Sequence, residues 1–226
     1  MSLDAYEIDD ALPEPLPDDP FPLLSAWIDE ARDRRIQPNP GSMTLSTVDP
    51  DGRPSARVVL CKGLDAAAGR VTFYTNYSSR KGVAIAHEPR VALTMHWDAL
   101  NRQVRIEGRA TTATDAQSDA YFRTRSVESR LGAWASRQSE PLESREALIA
   151  RVAETMARFD VNLDNLEDAE IPRPPFWGGY HVWAERVELW VGGPGRIHDR
   201  ARWTRTLTPA GDGFTAGGWS ATRLYP

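Results

Sequence analysis

Cysteine is nearly absent from the 226-residue chain: Cys61 is the only one. A lone cysteine excludes an internal disulfide and any Cys-x-x-Cys zinc or redox motif. Histidine is almost as scarce, and the four (His87, His96, His181, His198) have neither HxxxH nor HExxH spacing, so no metal site is expected. No apolar run approaches the roughly 18–20 residues of a membrane span. The acidic N-terminus resembles neither a secretory signal nor an Arg-rich transit peptide, so a cytoplasmic protein without a membrane partner is expected. Lysine is the rare cation: Lys62 and Lys81 stand against 25 arginines. A codon bias toward arginine explains the imbalance. Such a bias leaves lysine mainly where a compact point charge works and a planar fork does not. Both lysines are therefore candidates for tight anion contacts.

What is present fits a folded protein. Hydrophobic residues make up 41% and charged residues 26%, which rules out wholesale disorder. A net charge of −5, from 27 basic and 32 acidic residues, disfavours a nucleic-acid partner but leaves room for a local anion site. Residues 1–20 are acidic and proline-rich and read as a mobile arm, and 21–226 as a single domain. A helix is expected after Asp19, with Leu23, Leu24, Trp27, Ile28 and Ala31 as its apolar stripe and QPNPG (37–41) as its stop. Strands are expected at 42–49, 55–63, 70–76, 90–97 and 101–112, with a short helix at 78–89. Helices follow at 114–137 and 143–159, the second with Leu148, Val152, Thr155, Met156 and Phe159 on one side. The stretch 160–175 reads as a surface loop, and strands resume at 178–192, 195–207 and 217–225. Hairpin-linked strands flanking a helical middle lack the βα rhythm of a doubly wound fold and predict an antiparallel β-barrel with helices packed around it.

Several clusters can carry chemistry. Arg57 and Lys62 bracket an apolar strand; being five apart, they reach one ligand only if a bulge or strand end intervenes, and otherwise are solvated strand-end charges. Ser78-Ser79-Arg80-Lys81 precedes a helix, where free N–H groups suit a phosphate; a plain serine cap gives the same pattern. Tyr121, Arg125 and Ser129 share a face if one helix runs through them, as oxyanion donors or as a solvated stripe. Arg196, His198 and Arg200 alternate, so on a strand they face one way, and such a row calls for an anionic or electron-rich partner. Trp177, Trp183, Trp190 and Trp219 suit core packing, with Trp190 also placed to abut the pocket of Arg196. Cys61 reads most simply as a buried strand residue.

In this order the pieces resemble the FMN-dependent pyridoxine/pyridoxamine 5′-phosphate oxidase family. The matching stretches are RVVLCK (57–62), FYTNYSSRKG (73–82), RQVRIEG (102–108), LGAWASRQS (131–139), PPFWGGY (174–180), ELW (188–190), RIHDR (196–200) and RLYP (223–226). The resemblance implies a split β-barrel, mainly β with helices around it, working as a homodimer with FMN across the subunit interface. It implies that Arg57, Val58, Val59, Leu60, Cys61, Lys62, Tyr74, Thr75, Arg80, Lys81 and Gln103 of one subunit hold FMN, with Gln138, Ser139, Trp190 and Arg200 from the other. Lys62, Tyr121, Arg125 and Ser129 would grip the substrate phosphate. Arg196, Ile197 and His198 would meet the pyridine ring, with Arg196 and His198 as the catalytic pair. The implied reaction oxidises pyridoxamine or pyridoxine 5′-phosphate to pyridoxal 5′-phosphate, with dioxygen as acceptor and hydrogen peroxide released. Two departures stand out. The arm has Tyr6 but no arginine before Arg32, so the family's Arg-x-x-Tyr pattern is missing. Arg125-Ser126-Val127-Glu128-Ser129-Arg130 replaces Arg-Pro-Arg-x-Ser-Gln. Alternatives are an FMN oxidase of the phenazine-biosynthesis type and a flavin-binding protein without turnover.

Overall fold

Side-chain alternation sets the strands, and the turns between them close the sheet into a ring. The computed structural model describes residues 8, 10–162 and 169–226. In chain order its elements are α1 (Phe21–Asp33), β1 (Ser42–Val48), β2 (Pro54–Leu60), β3 (Gly63–Asp65), β4 (Arg70–Asn76), α2 (Arg80–His87), β5 (Arg90–Trp97) and β6 (Arg102–Thr112). Then come α3 (Asp115–Arg123), α4 (Val127–Ala135), α5 (Arg145–Arg158), β7 (Trp177–Val191), β8 (Asp199–Thr204), β9 (Leu207–Ala210), β10 (Gly213–Ala216) and β11 (Ser220–Leu224).

The paired strands run antiparallel: β1 with β2 and β5, β5 with β6, β6 with β7, and β7 with β4. The ring is completed where β2 runs on into β3, which pairs with β4. The link is Cys61–Lys62, whose backbone N–H groups turn to different partners: Cys61 donates to Gly41 O and Lys62 to Thr72 O, each at 2.8 Å. The barrel is thus split at this step, closed by the chain rather than by a ladder. The long β7 serves two neighbours: 177–183 pair with β4 and 186–191 with β8, which carries β11. A bulge at Glu107/Gly108 re-aims β6. Gly108 is required there, since a Cβ would lie 2.0 Å from Trp183 O.

Met43, Leu45, Phe73, Leu93, Met95, Val104, Ile106 and Leu189 fill the ring, and Trp97 and Trp203 are fully buried. Each indole N–H meets a carbonyl, Pro40 O at 2.8 Å and Pro17 O at 2.7 Å, so neither is left unsatisfied. The α1 stripe forms as expected, with Phe21 joining Leu24, Trp27, Ile28 and Ala31 in the core and Leu23 only partly buried. Buried Arg102 sits under Trp27 at 4.9 Å and pairs with Glu30 at 2.5 Å. In α5, Met156 and Phe159 join a smaller cluster with Val127, Leu131, Val161 and Ile171, while Thr155 alone of the helix is fully buried.

Four expectations are corrected. The helix over 114–137 breaks at Thr124–Ser126, because Ser126 adopts φ −59°, ψ 154° and caps α4 by accepting the Ser129 N–H. Tyr121, Arg125 and Ser129 therefore do not share a helix face. The strand over 195–207 begins only at Asp199. Pro194–Arg196 form a 3-10 turn with Gly195 at φ 63° and Arg196 at φ 65°, which destroys the alternation of 196, 198 and 200. The unforeseen hairpin β9–β10 follows β8. In the arm, the described part is tied down rather than free: Leu12 is buried, its N–H donates to Asp199 Oδ2 at 2.8 Å, and Glu14 pairs with Arg223 at 2.9 Å. Residues 1–7 and 9 of the arm, and 163–168 of the expected surface loop, lie outside the described residues. Among the described residues no helix is long and apolar enough to cross a membrane, and no group of His, Cys, Asp and Glu is arranged to hold a metal.

Candidate functional site

The split in the barrel opens onto a cavity of about 560 Å³ lined by Val58, Val59, Leu60, Lys62, Tyr74, Thr75, Lys81, Tyr121, Thr124, Arg125, Ser129, Gln138 and Trp177. Both lysines of the chain are on its wall. Lys62 gets there because the ladder lapses at Cys61–Lys62, the strand end that a shared ligand requires.

Lys81 lies in the first turn of α2, capped by Ser79, whose side chain accepts from Gly82 N. Its ammonium is buried and meets only neutral oxygens: Gln138 Oε1 at 2.8 Å, and Thr75 Oγ1 and Ser79 Oγ at 3.2 Å. Burial, then the nearby Arg57 guanidinium, push its pKa down to about 8. Arg57 itself is held by Thr47 Oγ1 at 2.8 Å and by Ser55, and burial lowers its pKa. Arg80 is already paired: Asp49 accepts from its Nε at 2.9 Å, and that bond holds the Asp49 carboxyl below its usual range.

Arg125, on the same wall, likewise pairs with no carboxylate among the described residues. Its guanidinium lies 4.7 Å over Trp177 and 5.5 Å over Phe122, and its Nη1 is buried without a hydrogen-bond partner. Burial lowers its pKa. Tyr74 stacks on Tyr121 at 3.8 Å and on Trp177 at 5.5 Å. Ser129 is reached by Ser126 Oγ at 3.1 Å, so the helix break that ruined the shared face also positions this hydroxyl. A desolvated cation with no partner is costly, and an anion in the cavity removes that cost.

A second group forms elsewhere. Gln103, Trp190 and Arg200 are consecutive register partners across β6, β7 and β8, so they project from one face. Arg200 donates to Glu188 Oε1 at 2.8 Å and to Tyr225 O at 3.0 Å. The His198 ring lies 4.6 Å from Trp190, and its Nδ1 accepts the Gly193 N–H at 3.1 Å. The neutral imidazole therefore carries its proton on Nε2. Arg196 and Ile197 are exposed on the 3-10 turn beside it.

Gln138 and Ser139 sit with Lys81 and Arg80 of their own chain, because the end of α4 returns to the start of α2. Gln103 sits with Trp190 and Arg200, because β6 and β7 are paired there. Cys61 does not line the cavity. Its thiol lines a separate space of about 520 Å³ beside α1, and burial raises its pKa. Sequence reasoning missed Trp177 as part of the cavity wall, since a tryptophan beside Gly178-Gly179 in a strand reads as core. It also missed Glu188, whose role depends on the pairing of three strands.

A larger groove of about 940 Å³ crosses the outer sheet, lined among others by Arg90, Glu107, Glu185 and Arg186. Most of its charges are matched, Arg186 with Glu107 at 3.1 Å, Glu185 with Arg109 at 3.2 Å and Arg90 with Glu88 at 2.5 Å, and the further cation Arg205 gives its N–H groups to the Ala68, Gly69 and Ala184 carbonyls. None of the candidate residues lines it. Unmatched charge, not volume, identifies the site.

Known proteins share this architecture. The sequence pattern of the family described as "Pyridoxamine 5'-phosphate oxidase" matches residues 28–158, and that described as "Pyridoxine 5'-phosphate oxidase C-terminal dimerisation region" matches 177–226. A pyridoxine/pyridoxamine 5′-phosphate oxidase of Burkholderia mallei is 47% identical over 207 residues, 92% of this chain and 89% of its own length. PhzG of Burkholderia lata 383, solved with tetrahydrophenazine-1-carboxylic acid, superposes with a TM-score of 0.80 at 30% identity, covering 97% of this chain and 99% of that one. A pyridoxamine 5′-phosphate oxidase-related protein of Nostoc punctiforme shares the fold, with a TM-score of 0.65 at 18% identity over 91% of this chain and 98% of its own.

Proposed function

Since this chain belongs to the pyridoxine/pyridoxamine 5′-phosphate oxidase family, we propose that it oxidises pyridoxamine or pyridoxine 5′-phosphate to pyridoxal 5′-phosphate with FMN as cofactor, in the cytoplasm. The observation that carries the reading is one aromatic-walled cavity with three cations, Lys62, Lys81 and Arg125, that no carboxylate among the described residues pairs with. Two phosphorylated rings are the ligands such a wall suits. Lys81, Thr75, Gln138 and Ser139, with Arg57 and Arg80 nearby, fit the phosphate end of FMN. Lys62, Tyr121, Arg125 and Ser129 fit the phosphate of the vitamer. When bound, FMN supplies the two-electron acceptor for the substrate carbon and passes the electrons to dioxygen, giving hydrogen peroxide.

The protein's part is to bind and orient. Arg125 meets the phosphate from a partly desolvated position, where a charge-assisted hydrogen bond is strong. Ser126 steadies Ser129. His198, its Nδ1 occupied by Gly193, turns Nε2–H outward, beside Arg196. The second group does not line the cavity, so we infer a homodimer in which Gln103, Trp190, His198, Arg196 and Arg200 of one subunit complete the cavity of the other. The match of 177–226 to a dimerisation region supports this arrangement.

The likeness to PhzG favours a second reading, since a carboxylate on a larger ring would also satisfy Arg125. Anaerobic mixing of the yellow holoenzyme with each compound separates them. Pyridoxamine or pyridoxine 5′-phosphate should bleach the flavin. Bleaching by tetrahydrophenazine-1-carboxylic acid alone would establish the second reading, and bleaching by none would leave a binding protein without turnover.

A further inference from the structure

Two buried arginines elsewhere among the described residues are aimed by carboxylates. Arg173 is held by Asp115 at 2.6 Å and Asp119 at 2.5 Å, and Arg102 by Glu30 at 2.5 Å. Arg125 has no such clamp, yet its Nη1 is buried in the cavity wall. What it has instead is aromatic surface, chiefly Trp177 at 4.7 Å.

We infer that Trp177 is a positioning residue for phosphate recognition: its indole face holds the Arg125 guanidinium toward the cavity without cancelling its charge. A carboxylate in the same place would compete with the incoming anion, whereas a ring face fixes the plane of the guanidinium and leaves its N–H groups free. Trp177 is itself well fixed. It is 6% exposed, its backbone N–H donates to Pro174 O at 3.0 Å, and its backbone carbonyl accepts from Arg173 Nη1 at 2.7 Å. Its ring also lies parallel to Tyr121 within 3°, at 6.2 Å, and both rings stack with Tyr74. The inference rests on the reading of Arg125 as a phosphate ligand.

The test uses FMN-loaded enzyme, wild type, Trp177→Phe and Trp177→Leu. Calorimetric binding of inorganic phosphate should weaken about threefold in the Phe variant and about tenfold in the Leu variant, following the loss of ring face. The ratio of kcat/KM for pyridoxamine 5′-phosphate to that for pyridoxamine should fall in the same order. A merely structural role would lower both substrates alike and leave the ratio and the phosphate affinity at wild-type values, which would overturn the inference. If Trp177→Leu fails to fold, Trp177→Phe decides alone. If wild-type enzyme oxidises neither vitamer, the substrate reading fails, while phosphate binding still judges Trp177.

Discussion

On the β6–β8 face, Arg200 is clasped by Glu188 at 2.8 Å and Arg105 leans on the same carboxylate at 3.3 Å, whereas in the cavity beside α2 and α4 neither Lys81 nor Arg125 meets a carboxylate among the described residues. The first arrangement is finished before any ligand arrives. The second is incomplete by one or two negative charges. Half-buried cations left unmatched oppose folding, so their persistence marks where a ligand's charge belongs. The paired arginine, by contrast, is held at a fixed angle by Glu188.

The largest expected effect breaks the comparison into its two halves. A chain carrying Lys81→Gln and another carrying Arg200→Gln should each be nearly inactive as homodimers. Co-assembled, they should recover about a quarter of wild-type activity, because half of the randomly formed dimers then hold one intact site of two. Activity measured on the unfractionated mixture checks this, the purified mixed dimer should show about half of wild-type activity, and no recovery would show that both groups act within one chain.

A smaller effect follows from Lys81. Its ammonium is charged below about pH 8 and loses that charge above it. FMN affinity of the apoprotein should therefore weaken about tenfold between pH 7 and 9, since roughly a tenth of the lysine stays charged one unit above its pKa. Fluorescence titration should show this slope in wild type and its loss in Lys81→Gln. The sign for folding is opposite. Between about 8 and the ordinary 10.5 the unfolded chain still binds the proton, so the apoprotein should gain stability as pH rises through that window.

The smallest effect sharpens the paired side. Glu188→Gln keeps the shape but removes the charge that Arg105 and Arg200 share. It should cost about 1–3 kcal/mol of stability in urea unfolding, and kcat/KM should fall several-fold as Arg200 loses its aim. A variant with wild-type kcat/KM would mean that Arg200 needs no clasp.

Much of the scaffold was legible from alternation alone. β1, β4, β5 and β6 lie where inward and outward residues alternate or where an apolar run is bounded by turns, and α1 follows its stripe. Both lysines were singled out by their rarity, and both line the cavity. What sequence did not reveal was local punctuation and distant pairing. Ser126 is a good helix cap, but Arg-Ser-Val-Glu-Ser also continues a helical pattern, so the break stayed hidden. Pro194 and Gly195 signalled a turn, yet the alternation of Arg196, His198 and Arg200 was read as outlasting it. That Gln138 returns to Lys81, while Gln103 belongs with Trp190, depends on how α4 packs and how β6 meets β7, which no spacing records.

Asp199 has a practical consequence. This one carboxylate takes the N–H of Leu12 near the start of the chain and the guanidinium of Arg223 near its end, and it directly follows His198. Arg200, next along, holds the carbonyl of Tyr225. Leu12, Arg223 and Tyr225 are thus moored within a residue or two of His198. A fusion or truncation that disturbs Leu12 or Arg223 would therefore act on Asp199, the first residue of β8, and through it on the neighbouring His198 and Arg200.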